Sequence, residues 1–337
     1  MVQEHRRIVT KRQKPKRRHH FLAASYLRGF SETPEKQLAE VYVVDLVAGE
    51  AGRKRVTKIA WERDFNRIEV EGRAIDELED VYAELEAPVS QAIRRTEENK
   101  SFASEDDRYS ILQFIAILFV RNPRRRKFYT KAMERSYKIA LDGIASTPEK
   151  WESHLRKMFP DSPPAIEYAE VRRFIDQDKF RLQVEPWGFP QMEIPAIENV
   201  TASLLSRSWT INFVGHDVGE FVTSDHPVIL DWDPVLVPDP FFIPPGFANR
   251  RSMMMFPLNR HMTMIGRYVD VNDTEEVDFG FVSRANSCII SNARRQVYAS
   301  SESFSYVGPD ETYRGGETLH LDPDFRIDEF SLHEGTR

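Results

Sequence analysis

The sequence predicts an α+β fold in which a helical lobe packs on a mainly antiparallel sheet. Three observations predict it. Apolar residues recur at helical spacing from Leu78 through Val81, Tyr82, Leu85 and Val89 to Ile93. From Trp209 the pattern changes to β-favouring runs, Trp209-Thr210-Ile211-Asn212-Phe213-Val214 first among them. Two further apolar runs, Met253 to Leu258 and Met262 to Val269, flank Asn259-Arg260-His261 as a hairpin would.

The elements follow in order. Glu40 to Asp45 reads as a short strand, and Val56 to Ala60 as a second that pairs with it in an early hairpin. The helical period beginning at Ile75 runs for about five turns in spite of Pro88. Ser104 with Asp107 three residues later resembles a capping box, opening a helix that is apolar almost all round from Ile111 to Val120 and therefore buried. Pro123 is expected to kink this helix, which then continues through Arg124-Arg125-Arg126-Lys127 toward Leu141. Prolines 148, 160, 163 and 164 surround a short helix from Pro148 to Met158 and mark a hinge-like excursion. A helix from Ile194 to Ser206 leads into the sheet. After the proline-rich loop 234–245 and the hairpin, Phe281 to Asn292 reads as a helix and Ala293 to Ala299 as a last strand. The expected organisation is a basic arm over 1–18, a single two-lobed domain over 19–299 (helices about 74–206, sheet about 209–299 with the early hairpin), and an acidic tail over 300–337.

Composition bounds the function classes. With 337 residues, 41% of them hydrophobic, the chain can fill a sizeable core, and 22 phenylalanines argue against global disorder. The net charge is −6, yet residues 1–18 hold eight Lys or Arg against Glu4 alone, which puts a basic arm on an acidic body. Cys288 is the only cysteine, which excludes an intramolecular disulfide and a thiolate-rich zinc site and points to a reducing, cytoplasmic compartment. The basic start has no apolar stretch of the signal-peptide kind after it. The longest apolar run is far shorter than the roughly 20 residues that span a bilayer. No HExxH, CxxC, Walker or dinucleotide-binding glycine pattern occurs, so zincin, zinc-finger, P-loop and nicotinamide-dependent readings are disfavoured.

Several separated segments carry a common pattern: His19-His20-Phe21-Leu22 with Tyr26-Leu27-Arg28-Gly29-Phe30, Glu86 in Leu-Glu-Ala-Pro, and Arg121-Asn122-Pro123. Thr223-Ser224-Asp225-His226-Pro227-Val228 and Phe256-Pro257-Leu258 complete it. The pattern resembles the bacterial family catalogued as domain of unknown function 4238, over most of residues 19–299. It departs from that family at Ala23, where proline is usual, at His226, where asparagine is usual, and at Asn259-Arg260, where Ser-Pro is usual. The resemblance implies a choice of residues and no particular activity.

The chemistry-bearing residues each admit two readings. His19 and His20 titrate near neutrality but point to opposite faces if they lie on a strand, so one of them reaches a given site; His20 is favoured. Glu86, at the edge of an apolar face, needs a partner, and Arg121 can fork onto a carboxylate or a phosphate. Asp225 either acts in catalysis at a strand end or caps the turn that Pro227 forces. Asn286 either presents its amide to the same cleft or bonds nearby backbone. The run 124–127 with Phe128-Tyr129 has the cation–aromatic mix of single-strand binders, although four consecutive charges spread around a helix.

The reading these residues support is a metal-assisted phosphodiester hydrolase of nuclease type. In it His20, Glu86 and Asp225 share acid–base and metal-ligand roles for Mg or Mn, while Arg28, Arg121 and Asn286 bind substrate. Nucleic acid would be gathered by residues 6–18 and 124–127. The alternative is a non-enzymatic nucleic-acid or protein-interaction module in which the same residues form turns and ion pairs.

Overall fold

A computed structural model describes residues 17–36, 38–68, 75, 77–178, 180–237 and 245–328. Residues 6–16 of the basic arm and 238–244 of the proline-rich loop lie outside the described residues. The fold is α+β with mainly antiparallel sheets.

Strand β1 (Arg18–His20) leads into the short helix α1 (Ala24–Arg28). The early hairpin forms from β2 (Glu40–Asp45) and β3 (Glu50–Arg55), not from 56–60, which begins with a 3-10 turn over Val56–Lys58. Asp45 accepts the N–H groups of Val47 and Ala48, and Gly49 takes a left-handed φ of +70°, which closes the turn early. β3 is an exposed, basic edge strand. It therefore carries none of the apolar alternation by which a strand is read. β4 (Trp61–Arg63) then returns to pair antiparallel with β1.

The helical run contains two further corrections. The expected five-turn helix is two helices, α2 (Glu77–Glu86) and α3 (Val89–Asn99), divided at Ala87-Pro88, since proline has no N–H to donate and disfavours helical backbone at the residue before it. α4 (Glu105–Val120) starts as expected: Ser104 Oγ accepts the Asp107 N–H at 3.1 Å. The Asp107 carboxylate turns to Arg95 instead of completing the reciprocal bond. α4 does not kink at Pro123. It stops at Val120, and Asn122 caps a new helix, α5 (Pro123–Ile144), by accepting the Arg124 N–H at 2.9 Å with Pro123 at the first helical position. α6 (Pro148–Met158), α7 (Tyr168–Asp176) and α8 (Pro190–Leu205) complete the run.

Five strands form the larger sheet in the order β10-β5-β9-β8-β7. They are β5 (Ser208–Val214), β7 (Ile229–Trp232), β8 (Ser252–Asn259), β9 (Met262–Arg267) and β10 (Thr274–Val277), and only the β10–β5 pairing is parallel. A second sheet, β3-β2-β11-β6, adds β6 (Thr223–Ser224) and β11 (Gln296–Ala299), with α9 (Phe279–Asn292) packed beside it. One apolar core surrounds α4 and α1, where the Tyr26 and Phe256 rings stack at 5.4 Å and both meet Phe114 edge-on.

Residues 300–328 are folded where a tail was expected. β12 (Ser305–Val307) pairs with β13 (Tyr313–Gly315), and Phe304, Tyr306, Leu319, Phe325 and Ile327 enter a second core with α9. The acidic composition misleads because three of its carboxylates gather on one guanidinium: Asp310, Asp322 and Asp324 all bond Arg314, and Tyr306 donates to Asp322 at 2.7 Å. Residues 329–337 lie outside the described residues. Phe325→Ala should therefore cost about 3 kcal/mol in urea denaturation, as expected for a buried aromatic, where a residue in a solvated tail would cost nothing.

Candidate functional site

Pairing of β1 with β4 places His20 opposite Trp61 and His19 opposite Glu62, so the two imidazoles face opposite ways. His19 is fully buried, and its Nδ1 accepts the Asn66 N–H at 2.7 Å. His20 lines a cleft of about 260 Å³ between β1, α1, α2 and the end of α4. Its Nε2 is buried without a hydrogen-bond partner among the described residues. Burial lowers the His20 pKa below its usual 6.5, and the charges of Arg121 and His19 push the same way, against Glu79 and the Thr57 backbone. The imidazole is accordingly neutral at physiological pH.

α2 supplies one wall. Glu79, Tyr82, Ala83 and Glu86 fall at i, i+3, i+4 and i+7, a single helical stripe, and all four line the cleft. Arg121 lines the cleft from the end of α4. It is 1% exposed, its Nη2 donates to Glu86 Oε1 at 2.5 Å, and its guanidinium lies 4.0 Å over the Tyr82 ring. Its Nε is buried and has no acceptor among the described residues. Burial and the nearby Glu79 raise the Glu86 pKa while Arg121 pulls it back. The net direction is upward, because burial outweighs the guanidinium.

A buried polar network holds this wall in place. Tyr82 donates to Glu193 Oε2 at 3.3 Å, and Arg126 grips the same carboxylate through Nε at 2.6 Å and Nη2 at 2.8 Å. Arg126 also donates to the Phe65 carbonyl and, at 3.2 Å, to Asn66 Oδ1. Asn66 in turn donates to Glu79 Oε2 at 2.8 Å and its N–H reaches His19, which returns the network to the cleft. Of the basic run 124–127, Arg126 thus belongs to the interior. Arg126→Met leaves the fully buried Glu193 unpaired and should cost about 3–5 kcal/mol in chemical denaturation; Arg126→Met with Glu193→Leu should recover most of it.

The other expected site residues go elsewhere. Asp225 is not gathered with His20 and Glu86: its carboxylate accepts the backbone N–H groups of Arg294 at 2.8 Å and Gln296 at 3.3 Å, tying the β6 end to the start of β11. Asp225 therefore neither joins the cleft nor caps the local turn; Ser224 Oγ does the latter, accepting the His226 N–H at 3.1 Å. Asn286 is saturated. Its Oδ1 accepts the Val222 N–H, and its amide donates to the carbonyls of Glu220 and Ser305, each at 2.9 Å, so no donor remains for a substrate. Arg28, in the last turn of α1, is half-buried and is not among the cleft-lining residues. Among the described residues, no group of three or more His, Cys, Asp or Glu side chains is arranged to hold a metal ion.

The family described as "Protein of unknown function (DUF4238)" matches residues 18–303. The chain belongs to this family. No curated protein and no solved structure matches it. The match takes in every residue of the cleft and of the network beneath it.

Within this DUF4238 chain, sequence reasoning found His20, Glu86 and Arg121 but missed Glu79, Asn66 and Glu193. Glu79 was legible, because it stands three residues before Tyr82 and seven before Glu86 on one helical stripe. Asn66 and Glu193 carry no local signal; their roles come from side chains far away in sequence.

His226 titrates against stability. Its Nε2 meets Asn122 Oδ1 at 2.7 Å, and burial together with Arg124, Arg125 and Arg294 pulls its pKa down to about 3. An unfolded histidine titrates near 6.5, so this contribution is complete above that pH and is lost as pH falls toward 3. Burial pushes Asp225 up to about 6, which acts oppositely, its contribution fading as pH rises from about 4 through 6. Urea unfolding should show His226→Asn losing about 2–3 kcal/mol less than the parent between pH 7 and 4.5.

Proposed function

We propose that the cleft is the catalytic site of a phosphodiester hydrolase. The observation that carries this reading is an imidazole and a fixed guanidinium lining one cleft, each with a buried nitrogen that lacks a partner among the described residues. An unpartnered buried nitrogen is costly unless something occupies the site; a water donating to His20 Nε2 and a phosphoryl oxygen accepting from Arg121 Nε would complete both.

In the proposed reaction His20 Nε2 takes a proton from water as the water oxygen forms a bond to phosphorus. The bond from phosphorus to the leaving oxygen breaks, and that oxygen departs with the electron pair and is protonated from solvent. Arg121 holds a non-bridging oxygen where negative charge develops. Glu86 is a positioning residue that aims the guanidinium. Glu79 and Glu86 outnumber Arg121 in charge, so an incoming phosphodiester needs added positive charge. Mg or Mn bound through these two carboxylates would supply it.

The test incubates the full chain with RNA and DNA oligonucleotides, with Mg or Mn and with chelator. Cleavage should fall by about 10²–10⁴-fold in His20→Gln and persist in Asp225→Asn. Its pH profile should show an acid limb below 6.5, as protonation removes the base, and His20→Gln should abolish that limb. Intact substrates under every condition, or undiminished cleavage in His20→Gln, would overturn the proposal. The second reading, a non-enzymatic nucleic-acid or protein-interaction module, draws on the Arg121–Glu86 ion pair, which fixes packing whether or not chemistry occurs. On that reading His20→Gln and Glu86→Gln alter stability alone.

A further inference from the structure

We infer that the outward face of α5 is a binding track for single-stranded nucleic acid. At 3.6 residues per turn, Arg124, Phe128, Lys131 and Arg135 fall within one narrow stripe of this helix, with Lys127 beside it. The consecutive run 124–127 does not form a patch; the stripe at helical spacing does. Lys127, Phe128, Lys131 and Arg135 are exposed, Phe128 to 64%. The stripe extends about 16 Å along the helix, enough to meet several phosphates spaced at about 3.4 Å or more.

Several other charges of α5 are engaged within the protein, as is Lys131 on the stripe itself, so the cations that count are Arg124, Lys127 and Arg135. Arg126 holds Glu193, and Arg125 lies 3.4 Å over the Phe119 ring. Both acids that would offset the stripe are likewise spoken for. Glu134 meets Lys138 at 2.8 Å, with Lys138 bridging to Asp178, and Asp142 meets Arg172 at 2.7 Å. The face that remains is cationic and carries an exposed aromatic ring, the combination that grips phosphates and stacks on unpaired bases.

At the N-terminal end the track gains charge from another element. Arg124 is half-buried; burial first and then the like charge of Arg294 disfavour its protonated form, with Asp225 opposing. Arg124 stands three residues along the chain from Arg121 of the cleft. Delivery of the strand to the cleft rests on the phosphodiester reading above; the binding itself does not.

The test measures fluorescence anisotropy of a labelled single-stranded 20-mer, as DNA and as RNA, with the full chain over a range of KCl concentrations. Arg124→Gln/Lys127→Gln/Arg135→Gln should weaken binding at least tenfold near physiological salt. It should also reduce the slope of log affinity against log salt by about 2, at about 0.7 for each phosphate contact removed. Phe128→Ala should weaken single-strand binding about fivefold or more while leaving duplex binding unchanged. His20→Gln should bind as the parent does, which separates failure of this inference from failure of the catalytic one. Absence of binding by the parent, a triple variant with the parental affinity and slope, or equal competition by polyglutamate, which would make the face a dock for acidic protein, would each overturn it.

Discussion

The buried pair of Arg126 and Glu193 is the constraint on which the helical half depends. Neither charge can be left without the other, because an unpaired ion in the interior costs several kcal/mol, whereas the pair with its added hydrogen bonds is tolerated. Satisfying both demands that α5, α8, the Phe65-Asn66 segment and the Tyr82 face of α2 arrive together. Four elements remote in sequence are fixed by a single desolvation problem. The cleft is a by-product of that arrangement, since Tyr82 and Glu79, which touch the network from above, are also its lining.

A second junction joins the sheets to the helices. Tyr26 donates to the Pro257 carbonyl and meets Thr223 Oγ1, both at 2.8 Å, so α1, β6 and β8 share one buried hydroxyl. Two residues on, Asp225 binds the backbone before β11, and His226 meets Asn122 at the break between α4 and α5. Asn122 does two jobs at once through the same Oδ1, capping α5 and accepting from the His226 Nε2–H. The helix break at 121–122 is thus registered against the sheet. Arg121 is the last residue before that break, which sets its guanidinium at the cleft instead of along a continuous helix.

The cleft and the α5 face have different electrostatic characters. The cleft is acidic, with two carboxylates against one guanidinium and a neutral imidazole. The face beyond it is cationic. Under the two proposals above, a polyanion would be held by the second and admitted to the first only with a compensating cation.

Much of the fold follows from local rules that act within a few residues. The Ser104 cap, the all-round apolar stretch 111–120, the onset of the sheet at 208, the hairpin around Asn259-Arg260-His261 and α9 are set by periodicity, capping and turn chemistry. His20, Glu86 and Arg121 also stood out, as polar groups beside apolar elements. The sequence alone did not reveal which of these groups meet. Arg121 finds Glu86 35 residues away, Arg126 finds Glu193 at 67, and Tyr82 finds Glu193 at 111. Asp225, chemically as good a candidate as Glu86, is consumed by backbone amides 69 and 71 residues further on. Residues 300–328 read as a tail because their few apolar side chains have no partners nearby, and they fold because α9 and β2 bring the second core to them. Local sequence determines where backbone can form hydrogen bonds with itself; which buried charge neutralises which is decided only when distant elements are desolvated together.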